Sequence, residues 1–104
     1  MARSTYEKVV AKLKRLLADE KIAHTKLILF GSHAKGWARP NSDIDLCVVV
    51  KAKDDQLRTI QSQLNFLAGK NLLQVDIIVT NAKQLRSNRI SPILHEIRSH
   101  GISV

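Results

Sequence analysis

The stretch LILFGSHAKGWARPNSDIDLCVVV, from Leu27 to Val50, decides how this chain is read. Leu27 to Phe30 is a short apolar run that stops at Gly31, as buried strands often do. Asp43 to Val50 is rich in β-branched residues and opens on two carboxylates at alternating positions, which predicts a second strand. Between them, GSHAKGWARPNS holds two glycines and a Pro-Asn pair, so it is a turn and loop with room for at most a short helix.

Outward from this centre the hydrophobic periods change. Tyr6, Val9, Val10, Leu13, Leu16 and Leu17 recur at helical spacing, and Ser4 with Glu7 reads as a capping box, so a helix is expected from about Thr5 to Glu20. Leu57, Ile60, Leu64 and Leu67 mark another helix, with Asp54 or Asp55 placed to cap it and Gly69 near its end. VDIIV, Val75 to Val79, is a third strand. Ser91-Pro92 is a start signal for a last helix carrying Ile93, Leu94 and Ile97, with Gly101 as its stop. The order predicts an α/β (α+β) fold, a small mixed sheet with helices packed on it. Periodicity leaves strand order and direction open.

A length of 104 residues and 44% hydrophobic content fit one folded domain over residues 1–104, with a core that needs no disulfide or structural zinc. Cys47 is the single cysteine, so no internal disulfide forms. There is no signal-peptide pattern and no run long enough to span a membrane, and the expected location is cytoplasmic. The formal charge of +8 points to anionic partners without choosing among a nucleic acid, a polyphosphate and an acidic protein.

Asp43 and Asp45, two apart in a strand, project from one face. Carboxylates that close repel unless a cation lies between them, and Mg²⁺ or Mn²⁺ prefer oxygen ligands. Taken alone, an Asp-x-Asp is more often a solvated strand end. Asp76, inside VDIIV, adds a third acid flanked by apolar residues, where a charge is costly without a cation or donors. On neighbouring strands, Asp43, Asp45 and Asp76 could surround two divalent ions suited to in-line phosphoryl chemistry. Gly31 permits close backbone approach and Ser32 supplies a hydroxyl, while Lys35 adds a point charge. Each feature is ordinary alone; together they are specific.

GSHAKGWARPNSDIDL resembles the signature of the DNA polymerase β-like nucleotidyltransferases, Gly-Ser, ten residues, then Asp-x-Asp, and particularly the minimal nucleotidyltransferases. Ser42 precedes the acids as is common in that family, and Asp76 falls where its third carboxylate is expected. The resemblance implies that Gly31 and Ser32, with Lys35 and Ser42, hold the triphosphate of ATP and that Asp43 and Asp45 bind two Mg²⁺ ions. It gives Asp76 the binding of the catalytic metal and activation of the acceptor hydroxyl. Many relatives carry arginine at position 35. Small members of the family resemble antitoxins that silence a HEPN-domain ribonuclease toxin by transferring AMP to one of its tyrosines, and this is the expected activity and partner. The competing readings are transfer to a small molecule, and a non-catalytic module that masks a partner by contact. Direct nucleic-acid binding is not expected, because no recognition helix or stacking sheet is present.

The remaining residues have plainer readings. His33 is expected to be a solvated loop histidine and Cys47 a small buried hydrophobe. Trp37 either stacks on a base or anchors its own loop, and Arg39 is unassigned. His24, His95 and His100 lack metal-ligand spacing and are expected at the surface.

Overall fold

The computed structural model describes residues 2–39, 41–72, 74–87 and 91–104. Pro40, part of the expected loop, lies outside them. The first helix, α1, runs Ala2–Asp19, so it begins ahead of the expected start and takes Ser4 inside it. Its inward stripe of Val10, Leu13 and Leu17 is buried, with Tyr6, Val9 and Leu16 packed beside it. The helix closes where Lys21 turns left-handed at φ 56 and the Ile22 N–H bonds back to the Leu17 carbonyl at 2.9 Å.

Strand β1 is His24–Phe30 and strand β2 is Ile44–Val50, paired antiparallel with Leu29 opposite Leu46 and Phe30 opposite Asp45. The polar start of β1, which the apolar run at Leu27 does not reveal, is held by that pairing. Between them a short helix, α2, spans Ser32–Lys35. A 3₁₀ turn at Asp54–Gln56 then leads into α3, Leu57–Asn71. This crossover helix allows β3, Val75–Thr80, to lie parallel to β2. Gly69 lies near the end of α3 as expected, and the helix runs on to Asn71 with Leu72 as its C-cap. Nor does an aspartate side chain cap α3.

Two short elements went unread in the sequence. Helix α4, Ala82–Arg86, starts at Asn81, whose side chain accepts the Gln84 N–H at 2.8 Å. Strand β4, Ile102–Ser103, pairs antiparallel with β1. Helix α5, Pro92–His100, starts as expected: the Ser91 hydroxyl accepts the Leu94 N–H and Pro92 occupies the first turn. It ends at Gly101, where a side chain would strike Ile28 and the Ile97 carbonyl.

The sheet order is β3-β2-β1-β4, a mixed sheet with helices on both faces. Leu27, Leu29, Leu46, Val48, Ile77 and Val79 form one core with residues of α1 and α3. Ile28, Phe30, Cys47 and Val49 form a second with Ile97, Leu85 and Leu94 of α4 and α5. Burial on both faces explains why β1 and β2 read as continuous apolar runs rather than alternating ones.

Candidate active site

The N-terminal ends of the parallel strands β2 and β3 meet the C-terminal end of β1 at one edge of the sheet. In the parallel register Asp45 stands beside Asp76, and across the antiparallel pair it faces Phe30. Residues in register project from the same face, so Asp45 and Asp76 are side by side there. Asp43 falls one residue before β2. It is exposed and still near enough to act on Asp45 through its charge.

Asp45 is the hub. Partial burial and the negative charges of Asp76 and Asp43 hold its carboxyl above the usual carboxylate range, with His33 opposing them. Gly31 explains how Asp45 fits so close to the β1 turn. Its backbone adopts φ 75 and ψ −153, a conformation open almost only to glycine. A Cβ built there would stand 2.1 Å from the Asp45 Oδ2. Carboxylate and backbone therefore touch only because residue 31 has no side chain. Ser32 follows at the first position of α2 and is half-buried.

Other expected site residues have been given neighbours. The Lys35 ammonium sits 2.8 Å from Glu96 of α5 and 5.3 Å from the centre of the Trp37 ring, so a phosphate would have to compete with a carboxylate for it. The Ser42 hydroxyl accepts the Arg39 N–H at 2.8 Å and closes the loop. Asp76 is exposed. The cost of burying its charge therefore gives no reason for a cation, and its tie to the site is its register with Asp45.

His33 corrects the expectation of a solvated histidine. It is half-buried, its Nε2 lies 3.3 Å from the Ser42 carbonyl, and its ring meets Tyr6 edge-on at 6.4 Å. Its Nδ1 is buried and makes no hydrogen bond among the described residues. The only sequence signal was its place directly after Gly-Ser. Trp37 does not anchor its loop, being 73% exposed, whereas Cys47 is fully buried and burial pushes its thiol up to about 12. His95 and His100 are exposed as expected, and His24 is half-buried.

The oxygen-rich, mutually repelling donor set suits a hard divalent cation. As the side chains lie, no group of three His, Cys, Asp or Glu among the described residues is close enough to hold one. No helix among them is long and apolar enough to cross a membrane.

Residues 11–103 match the family described as Polymerase beta, Nucleotidyltransferase. Among solved structures the chain is similar to one described as the crystal structure of a toxin-antitoxin with AMP-PNP. The two are 26% identical with a TM-score of 0.55, over 89% of this chain and 69% of that one. No curated protein matches. The family match takes in both the Gly-Ser turn and all three acids, and on this ground the chain belongs to the polymerase beta nucleotidyltransferase family.

Proposed function

We propose that this nucleotidyltransferase moves AMP from ATP onto a tyrosine hydroxyl of a HEPN ribonuclease toxin and so acts as its antitoxin, in the cytoplasm. The observation that carries the transfer reading is the pairing of Asp45 with Asp76 in register, beside a glycine whose missing side chain makes room for Asp45. The partner reading is supported by the similar toxin-antitoxin structure, which was solved with AMP-PNP.

In this reading Asp43, Asp45 and Asp76 are the residues that would hold Mg²⁺, which when bound would offset the charge of the triphosphate. Gly31 and Ser32 bind the phosphates through backbone N–H and hydroxyl groups. Asp76 takes the proton of the attacking hydroxyl. His33, close to Asp45 and partnered on one ring nitrogen, braces the loop through the Ser42 carbonyl. Lys35 joins the phosphates only by leaving Glu96. The net charge of +8 favours docking to an acidic partner.

The test mixes the protein, ATP, Mg²⁺ and the proposed HEPN toxin partner. The toxin should gain the mass of one or more AMP groups and lose ribonuclease activity. The Asp76→Asn protein should keep much of its ATP binding and do neither. Silencing by the mutant with no mass added in either case would replace transfer with masking by contact.

A further inference from the structure

Trp37 is 73% exposed, and of the exposed large apolar side chains among the described residues it alone stands in the segment between β1 and β2 that carries the Gly-Ser turn. Phe66, Ile93 and Ile102, the others, lie on α3, α5 and β4. An indole in water offers a broad apolar face to any ring that reaches it.

The backbone of Trp37 is tied to the turn assigned to the phosphates. Its N–H donates to the Ser32 carbonyl at 2.9 Å, and Gly36, left-handed at φ 77, turns the chain so that the two residues meet. The Lys35 ammonium lies over one face of the ring, 5.3 Å from its centre, and the ring's exposure leaves the other face to solvent. Resting on the nucleotidyl-transfer reading, we propose that Trp37 stacks on the base of the bound nucleoside triphosphate, so that the loop after α2 is the base subsite.

Position and charge both favour a nucleotide over a protein surface as the occupant. A triphosphate held at Gly31 and Ser32 carries its base one ribose beyond the α-phosphorus, and the ring is anchored one hydrogen bond from that turn. Lys35 and the exposed Arg39 flank it in the chain, and cations beside an aromatic face suit a stacked, anionic nucleotide. A tryptophan that anchors a protein interface sits instead within an apolar patch that excludes water. Stacking accepts any base, so the subsite contributes affinity and orientation rather than a choice of base. A nucleotide held at its base and at its terminal phosphates leaves the α-phosphorus, which lies between them, little freedom.

Trp37 is the single tryptophan of the chain, so tryptophan emission reports on this subsite. Wild type, Trp37→Ala and Trp37→Phe are titrated with AMP-PNP and Mg²⁺, and in parallel with inorganic tripolyphosphate and Mg²⁺, which offers phosphates without a base. Both variants should melt near wild type, because the side chain lies mostly outside the core. Trp37→Ala should weaken AMP-PNP binding about fivefold or more and leave tripolyphosphate binding unchanged, while Trp37→Phe keeps most of the affinity. AMP-PNP should quench the wild-type emission, and tripolyphosphate should alter it far less. Wild-type affinity for AMP-PNP in folded Trp37→Ala would overturn the stacking and leave the transfer reading standing. A fall in transfer to the toxin in that same variant would then give the ring to partner docking. Equal loss of both ligands would make Trp37 a prop of the phosphate turn and overturn the stacking as well. If wild type binds neither ligand, the nucleotide reading falls and the stacking with it.

Discussion

Asp45 and Asp54 mark opposite ends of the paired strands β2 and β3, and their surroundings have opposite electrostatic signs. Asp54 accepts hydrogen bonds from the Asn81 amide at 2.8 Å and the Gln84 amide at 2.9 Å, and Lys83 stands 3.4 Å away. These donors hold its carboxyl below the usual range. Asp45 meets burial and two further carboxylates, and is held above it. One end of the sheet thus satisfies its acid and fastens α4 to the loop after β2. The other gathers acids, and at Asp45 burial and mutual repulsion raise the carboxyl with only a partial offset from His33, which folding alone does not explain. Unsatisfied charge of this kind marks a place where a ligand completes the balance.

Asp45→Asn removes the acid at the centre of the crowded end. It should lower nucleotidyl transfer by about 10³-fold or more, an effect typical of losing a group that stabilises transition-state charge. The melting temperature should hold or rise, because repulsion from Asp76 and Asp43 is removed. A folded variant with near-wild-type transfer would remove Asp45 from the site.

Gly31→Ala sharpens the same end. Its Cβ would displace the Asp45 carboxylate and force alanine into a backbone region that costs about 1–3 kcal/mol. Transfer should fall by roughly two orders of magnitude, from the displaced acid, with a stability loss visible in urea unfolding. At the other end, Asn81→Ala should cost about 1–3 kcal/mol, since it removes the α4 cap and takes the Asn81 amide donor from the Ala52 carbonyl and from Asp54 Oδ1. Transfer per folded molecule should stay near wild type. Loss of stability without loss of chemistry is the reverse of Asp45→Asn.

The smallest effect is a pH dependence. Because the Asp54 carboxyl is depressed in the folded state, its stabilising share is fully present above the ordinary carboxylate range and is lost as pH falls through its lowered folded value. Asp54→Asn should flatten the acid side of the stability profile. An unchanged slope would show that those amide contacts add nothing.

Much of this was legible in the sequence because it depends on local pattern. Helical spacing located α1, α3 and α5, and the runs LILF and DIDLCVVV located the two central strands. Both α4 and β4 are too short to show a period, and β4 exists only through its pairing with β1. The three acids were legible as a set, but the register that sets Asp45 beside Asp76 is a long-range fact. So are the Lys35–Glu96 pair, which engages a residue assigned to phosphate, and the contact of His33 with Tyr6. Gly69 read as lying near a helix end, and α3 does end two residues beyond it.

Transfer of the nucleotidyl group is read from where a label in ATP ends up. The proposed HEPN toxin partner is incubated with this protein and Mg²⁺, once with ATP labelled at the α-phosphate and once with ATP labelled at the γ-phosphate. The α-label should become covalently attached to a toxin tyrosine, the γ-label should leave in pyrophosphate, and Asp76→Asn should abolish both. Attachment of the γ-label, or silencing of the toxin with neither label attached, would contradict nucleotidyl transfer.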